Sequence, residues 1–194
     1  MTELSTTDFE FHPVTSERWH DLEKLFGPRG AIGGCWCMWW RIKRVEFEEQ
    51  QGEGNHQAMH DIIHSGRVPG ILAYTEGEPV AWCSVAPRED FPVLDRSQIL
   101  KRIDDQPVWS IVCFFISRPF RHQGLSSRML EAAVDFARQN GARIVEGYPI
   151  VPKKDSAPDI YIFTGMISSF LETGFQEVAR RSETRPIMRY FIEG

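Results

Sequence analysis

One segment limits the possible folds of this chain more than any other: a long apolar run that leads, through a short loop, into an amphipathic helix. Residues 108–116 (Val-Trp-Ser-Ile-Val-Cys-Phe-Phe-Ile) are nearly all apolar and rich in β-branched and aromatic side chains. Such a run is typical of a central strand that is covered on both faces. From Leu125 to Ala137, apolar residues recur on one face at helical spacing. The segment therefore predicts a buried strand followed at once by a helix.

The loop that joins this strand to this helix has the features of a phosphate-binding site. It reads Arg121-His-Gln-Gly124-Leu-Ser126. The start of a helix exposes unpaired backbone N–H groups and the positive end of the helix dipole. Gly124 lets the backbone approach a ligand closely, Ser126 is small, and Arg121 adds a positive charge. The alternative is an ordinary strand–helix turn in which the glycine serves packing.

The rest of the chain predicts further strands and helices around this unit. The predicted strands are 9–14, 71–75, 79–85, 143–151, 175–181 and 186–192, and the predicted helices are 16–26, 56–64 and 164–173. Residues 86–107 are polar and predict a surface excursion without regular structure. Because the chain has no repeat and no linker, we expect one α+β domain, residues 1–194, with helices on both sides of a sheet in an α/β-type three-layer arrangement.

Composition excludes several classes of protein. Hydrophobic residues make up 42% and charged residues 25%, as in globular proteins. The 22 Lys and Arg against 27 Asp and Glu give a net charge of -5, so we expect no nucleic-acid or membrane partner, and mildly favour a cationic one. No run approaches the ~18–20 apolar residues of a membrane span, and residues 1–10 lack the pattern of a secretion signal. We therefore expect a cytoplasmic protein.

A cluster of cysteines and histidines raises the question of a metal site. Cys35 and Cys37 precede His56, His60 and His64. Three histidines at i, i+4 and i+8 span ~12 Å of helix, so they cannot all bind one ion, and Cys-x-Cys is a less common zinc spacing. We expect no metal and reduced thiols. The cysteines lie among three tryptophans that either pack in the core or line a pocket: Trp36, Trp39 and Trp40.

At the loop residues the chain resembles the GNAT superfamily of acyl-CoA-dependent N-acetyltransferases. The pyrophosphate loop of that family reads Arg/Gln-x-x-Gly-x-Gly/Ala between the fourth strand and the next helix. Residues 121–126 match it, except that Ser126 stands where Gly or Ala is usual. The pair Gly174-Phe175 after a later helix extends the resemblance over about residues 70–192. Residues 34–38 (Gly-Cys-Trp-Cys-Met) are similar, more loosely, to a bacterial branch of the family.

The resemblance implies a mixed, mostly antiparallel, twisted sheet with a splay, a gap where the fourth and fifth strands part. It also implies acetyl-CoA as the acetyl donor. By the same resemblance, the strand backbone at Phe114, Phe115 and Ile116 and the loop would bind this co-substrate. The loop residues are Arg121, His122, Gln123, Gly124, Leu125 and Ser126. Residues 70–194 would form this co-substrate core, and residues 1–69 the side that receives a small-molecule or peptide amine.

The catalytic residues are less well defined by the sequence. Many family members place a Tyr acid where this chain has Phe170. We therefore expect Glu146 to be the general base and either Tyr148 or Tyr161 the acid. The alternatives are that these three residues are structural and that water accepts and supplies the proton, with catalysis by positioning. A non-catalytic acyl-CoA-binding or sensing module is the rival function. The sequence does not decide between monomer and homodimer.

Overall fold

The computed structural model describes residues 8–152 and 163–193, and in this part of the chain seven strands form one sheet. The strands are β1 Glu10–Pro13, β2 Gly70–Thr75, β3 Glu78–Pro87, β4 Trp109–Ile116, β5 Ile144–Gly147, β6 Gln176–Arg180 and β7 Pro186–Phe191. Their order across the sheet is β1-β2-β3-β4-β5-β7-β6. β4 and β5 are parallel, and the other neighbours are antiparallel. The expected mixed, mostly antiparallel sheet flanked by helices is confirmed.

Six α-helices connect or cover the strands in the same described residues. They are α1 Trp19–Phe26, α2 Arg44–Glu49, α3 Glu53–His64, α4 Pro92–Arg96, α5 Leu125–Gln139 and α6 Ile167–Glu172. The expectation of an irregular segment at 86–107 was partly wrong, because it contains α4. None of the helices has the length and apolarity that a membrane span requires.

Two layers of side chains cover the two faces of the sheet. On one face, α5 packs Met129, Leu130 and Ala133 against alternate residues of β2 and β3. On the other face, α1 and α3 pack on the intervening residues, with Leu72 and Trp82 at the centre of that core. Because successive strand residues point to opposite faces, the near-continuous apolar runs of β2 and β3 fill both layers. The sequence pattern thus dictates a three-layer architecture.

The pair β4–β5 separates after a short paired stretch. Residues Trp109–Ile111 of β4 pair with 145–147 of β5. Val112 is then left without a partner in β3, a bulge between two regular registers. The predicted strand 143–151 stops at Gly147, because Pro149 has no N–H to donate to a ladder. β4 continues to Ile116 and leaves the splay beside it.

Candidate active site

The loop before α5 forms a cradle of main-chain N–H groups. His122 (φ +60°) and Gly124 (φ +74°) adopt the left-handed conformation, which creates anion-binding concavities in loops. In the part of the chain that the structure describes, none of the N–H groups of residues 122–126 donates a hydrogen bond to the protein. The space around Gly124 is open. The cradle therefore fits a phosphate group, which accepts several hydrogen bonds and is attracted to a helix N-terminus.

Three side chains of this loop, those of Arg121, Gln123 and Leu125, turn back onto the protein. Arg121 donates from Nε to the Ile116 carbonyl over 2.9 Å, and Gln123 donates from Nε2 to the Pro119 carbonyl over 2.7 Å. Leu125 is buried in the core beneath α5. The loop therefore presents main chain, more than side chains, to the solvent.

The backbone of β4 beyond the bulge faces two neighbours in alternation. Ser117 donates its N–H to Val80 of β3. By alternation along a strand, Phe115 also points to β3, and Phe114 and Ile116 point to the splay. The N–H of Phe114 already donates to the carbonyl of Phe163, over 2.6 Å. Of the three backbone positions expected to hold the co-substrate, Phe115 is thus unsuited, because its polar groups face β3.

A largely apolar cavity of about 600 Å³ opens on the α1–α3 side of β4. It lies between the end of β4 and the chain that connects α1 to α3. Its lining comprises Phe26, Ala31, Ile32, Gly33, Cys35, Cys37, Trp39, Trp40, Phe47, Gln51, Trp82, Cys113, Phe114, Phe115, Phe163 and Arg185. This cavity is large enough for a small organic molecule.

The three tryptophans of the aromatic cluster divide between the two roles left open by the sequence. Trp39 and Trp40 line the cavity. Trp36 packs in the core, stacked on Trp19 at 6.0 Å between ring centroids. It also meets the His56 ring edge-on at 4.4 Å. The cavity wall therefore has a rigid layer of packed rings behind it.

Cys37 is an unusual thiol in the cavity wall. It has a positive φ of +59°, a backbone conformation that side chains disfavour. Trp82 donates from its indole N–H to the Cys37 sulfur over 3.1 Å. Burial favours the neutral thiol, but hydrogen bonds from Cys113 and Trp82 and the charge of Arg41 outweigh it and lower the pKa of Cys37. The other two cysteines of the lining, Cys35 and Cys113, have raised pKa values, so the surroundings of Cys37 differ from theirs in favouring the thiolate.

Arg185 brings a positive charge to the same cavity. Its Nη1 donates to the Thr164 hydroxyl over 2.8 Å and to the Tyr148 carbonyl at 3.5 Å. It makes no ion pair with any carboxylate in residues 8–152 and 163–193. Burial lowers the pKa of this guanidinium. Sequence reasoning missed this residue, since nothing in its neighbourhood along the chain distinguishes it.

Glu146 lies in a buried network of charges, away from the cavity. Arg88 donates to its Oε1 over 2.9 Å and Arg189 to its Oε2 over 2.8 Å. Arg189 also holds Asp104 through two hydrogen bonds of 2.6 and 2.9 Å. A carboxylate clamped by two arginines and excluded from the cavity lining is poorly placed to accept a proton from a substrate. The structure therefore places Glu146 in a buried ionic network outside the described cavity lining, and its role as general base stays a prediction.

The two tyrosines expected as candidate acids differ in whether the structure describes them. Tyr148 is fully buried, and its hydroxyl is bonded to Glu146, Ser110 and Arg88. Burial and the Glu146 carboxylate raise its pKa well above the ordinary value. The structure does not bring Tyr148 to the cavity either. Tyr161 lies outside the described residues. Phe170, at the position of the usual Tyr, is buried with its ring against Gly147.

The histidines of α3 form an aromatic surface around one tryptophan. His56, His60 and His64 surround Trp19, with ring centroids 5.1, 5.2 and 6.3 Å away. Among the described residues, no group of three or more His, Cys, Asp or Glu side chains could hold a metal ion. Cys35 and Cys37 line the cavity. The expectation of no metal remains a prediction.

Comparison with known proteins identifies the family. The sequence model of the acetyltransferase (GNAT) family matches residues 36–150, more than half of the chain. Among curated protein sequences, none matches this chain. The fold is shared with solved structures of low sequence identity.

Three of these structures illustrate that similarity. A GNAT-family acetyltransferase from Streptococcus agalactiae has a TM-score of 0.57 at 14% identity, with 96% of each chain covered. The PaiA N-acetyltransferase from Thermoplasma acidophilum, solved with coenzyme A, has a TM-score of 0.52 at 12% identity, covering 95% of this chain and 99% of that one. A polyamine N-acetyltransferase from Drosophila melanogaster has a TM-score of 0.57 at 10% identity, covering 95% and 100%.

The parted strands, the loop before α5 and the family match lead to one conclusion. The chain belongs to the acetyltransferase (GNAT) family.

Proposed function

We propose that this chain is an N-acetyltransferase that moves the acetyl group of acetyl-CoA to a primary amine by direct attack on the thioester. The observation that carries the proposal is the cradle of residues 122–126, whose main-chain N–H groups have no acceptor among the described residues. It lies at the start of α5, directly after the strand that borders the splay. The family match and the coenzyme A bound to the Thermoplasma relative agree with it.

Acetyl-CoA supplies an activated acetyl thioester when it is bound. In this proposal the N–H groups of residues 122–126 hold the pyrophosphate, and Phe114 and Ile116 offer backbone groups to the pantetheine arm. The Phe114 N–H must then exchange its bond to Phe163 for one to the co-substrate. A backbone N–H at the splay would also stabilise the oxyanion that forms during attack.

The acceptor amine must lose a proton before or during attack. An apolar cavity disfavours the charged ammonium and so lowers the pKa of a bound amine. This effect, together with positioning, makes a dedicated carboxylate base unnecessary. In this proposal water takes the proton. Tyr161 remains a candidate acid for the departing thiolate.

The second candidate function is a non-catalytic acyl-CoA-binding or sensing module. It is favoured by Phe170, which lacks the hydroxyl of the usual acid, and by a cavity without a described carboxylate. Both candidates bind acetyl-CoA, and only one releases coenzyme A.

One experiment tests the proposal and separates the two candidates. Acetyl-CoA binding is measured by calorimetry, and a panel of primary amines is screened for free thiol released from acetyl-CoA. We expect binding together with amine-dependent thiol release. Binding without release with any amine would favour the sensing module, and absence of binding would refute both.

The remaining expectations accompany this proposal. We propose one domain over residues 1–194, with 1–69 on the acceptor side and 70–194 as the co-substrate core, in the bacterial branch with the Gly-Cys-Trp-Cys-Met cluster. We also propose a cytoplasmic location and no nucleic-acid or membrane partner. Light scattering of the purified chain distinguishes monomer from homodimer.

A further inference from the structure

We propose that the acceptor of this enzyme is an amine that carries an apolar, preferably aromatic, body and a carboxylate, and that Arg185 binds the carboxylate. This inference rests on the proposed N-acetyltransferase function, because it names the substrate class of the same cavity. It follows from the lining of the cavity, from the positive charge of Arg185 and from the contrast with the buried arginines of the chain.

The walls of the cavity favour an apolar body. Ten aromatic or aliphatic side chains and three cysteines make up nearly all of the described lining, and the polar side chains are Gln51 and Arg185. Burying apolar ligand surface there gains roughly 25 cal/mol per Å² removed from water. The indole rings of Trp39 and Trp40 supply flat surfaces against which an aromatic ring can stack.

The charges at the cavity oppose a purely cationic acceptor. None of the described lining residues is an Asp or Glu, and one of them, Arg185, is positively charged. A polyamine that entered would meet the like charge of Arg185 and no carboxylate among the described lining residues. The net charge of the chain, -5, suggested a cationic acceptor, but the described lining residues carry a positive charge.

Half-buried Arg185 differs from the buried arginines Arg41, Arg88 and Arg189 in having no counter-ion among residues 8–152 and 163–193. Arg41 lies 3.5 Å from Asp90, Arg88 2.9 Å from Glu146, and Arg189 2.6 Å from Asp104. Arg185 makes hydrogen bonds only to a hydroxyl and a carbonyl of the described residues. A desolvated guanidinium without a carboxylate is costly, and its planar donors suit a bidentate carboxylate. A carboxylate on the acceptor would complete the pairing that the other three arginines have within the protein.

The reaction keeps this charge pairing intact. The amine nitrogen forms a bond to the acetyl carbon, the carbon–sulfur bond of the thioester breaks, and the proton lost by nitrogen balances the one taken up by the departing coenzyme A thiolate. The product is an N-acetylated acid. Its amide is neutral, so the product keeps the carboxylate that Arg185 recognises.

The first test measures recognition without turnover. N-acetylphenylalanine and its carboxamide are titrated into the protein and followed by calorimetry and by thermal shift. We expect the acid to bind at least about tenfold more tightly than the amide, the effect of one charge-assisted contact of about 1.4 kcal/mol. In Arg185→Gln this difference should disappear, and in Arg185→Lys it should be partly retained. Arg180→Gln, an exposed arginine of the same β6–β7 hairpin that pairs with Glu177, is the matched control and should bind like the wild type.

The second test measures turnover with matched pairs of amines. The pairs are phenylalanine with phenylalaninamide, and 4-(aminomethyl)benzoic acid with its carboxamide, so that two separations between amine and carboxylate are sampled. Spermidine is the cationic comparison. We expect the acid of at least one pair to exceed its amide about tenfold or more in kcat/KM, and spermidine to be the poorer substrate.

The outcomes separate failure of this inference from failure of the proposed function. If amines are acetylated but each amide equals its acid, or spermidine is preferred, the inference is overturned and the proposed function stands. If no amine, including spermidine, releases thiol, the proposed function fails, and the binding test still decides whether the cavity selects an acid. If Arg185→Gln instead weakens coenzyme A and leaves the acid-to-amide ratio unchanged, Arg185 serves the co-substrate and the inference is overturned.

Discussion

The two ends of β4 differ in how completely the protein satisfies its own polar groups. At the N-terminal end, Trp109–Ile111 pair with β5, and Glu146 of β5 is bonded to two arginines and a tyrosine hydroxyl. At the C-terminal end, β5 has ended, the loop at 122–126 has N–H groups without described acceptors, and Arg185 has no described carboxylate.

This difference teaches how to read a charged residue in the fold. Buried charges that have all their partners within the chain contribute to the architecture, and those that lack a partner point to a ligand. The paired end, with Arg88, Glu146 and Arg189, is thus the stabilising end. The parted end, with the cradle and Arg185, is the binding end. The predictions below test each assignment, from the largest expected effect to the smallest.

Loss of Glu146 is expected to cost the most stability. Glu146→Gln leaves Arg88 and Arg189 buried without their shared carboxylate, which should lower the free energy of unfolding by about 3–5 kcal/mol. Urea denaturation at pH 7 measures this. The kcat of the folded fraction and the acidic limb of its pH–rate profile should stay close to wild type. A kcat lower by about 100-fold with unchanged stability would instead make Glu146 the general base.

A side chain at Gly124 is expected to abolish co-substrate binding. Gly124→Val places a branched side chain where the N–H cradle should meet the pyrophosphate, and should weaken acetyl-CoA by about 100-fold or more, the loss of about 2.7 kcal/mol. Calorimetry measures the affinity, and a cooperative thermal melt shows that the fold remains.

The control for that variant has the same backbone strain at another site. Gly141 lies beyond the C-terminal end of α5, with φ +84° against +74° at Gly124 and open space around it. Gly141→Val should lose similar stability and keep wild-type affinity for acetyl-CoA. Equal affinity in both variants would contradict the assignment of the loop.

Removal of Asp104 is expected to change how stability depends on pH. The hydrogen bonds from Arg189 hold the pKa of the Asp104 carboxyl below its usual range. Such a group stabilises the fold above its unfolded-state pKa of about 3.9, and this contribution is lost as the pH falls through the lowered folded-state value. Asp104→Asn should therefore lower stability at pH 7 and flatten its decrease below about pH 5.

Urea denaturation between neutral and acidic pH checks this slope. The neighbouring Asp105 makes no ion pair with a described residue. Asp105→Asn should therefore follow the wild-type curve. A wild-type curve for Asp104→Asn would show that the network does not depend on this carboxylate.

Loss of Arg185 is expected to have the smallest effect on stability. Arg185→Met removes a desolvated cation and one hydrogen bond to Thr164, two effects of opposite sign, so the free energy of unfolding should change by less than about 1 kcal/mol. Arg88→Met, measured in parallel, should cost several times more. A large loss in Arg185→Met would place this arginine with the architectural charges.

The fold could be predicted from the sequence to the extent that each element has its own apolar pattern. The run at 108–116 and the helical spacing from Leu125 need no information from distant residues. The bounds of β4 were therefore predicted to within about one residue and those of α5 to within about one helical turn. The end of β5 was predicted four residues too late, although Pro149, which has no N–H to donate to a ladder, indicates it in the sequence. The short helix α4 was missed because it lies in a polar segment.

The site was predictable only where main chain forms it. The loop before α5 could be predicted, because a glycine between a strand and a helix indicates a close approach of the backbone without information from distant residues. The arginine–glutamate pairs could not, because the partners of Glu146 lie 58 and 43 residues away. A signal was nevertheless present: Glu146 and Arg189 are charges inside otherwise apolar strands, and each requires a buried partner. No pattern in the neighbouring sequence indicated a role for Arg185.

The main-chain character of the loop has a consequence for how this protein can change over time. Under the proposed function, the groups that meet the pyrophosphate are N–H groups, which every residue except proline has. Substitutions at His122, Gln123 or Ser126 would therefore leave the recognition chemistry in place as long as the left-handed turn persists, and Ser126 in place of Gly or Ala is such a change. Apart from Gly124, the binding loop can therefore vary in side chain, and the cavity lining can change to suit a different acceptor without altering co-substrate binding.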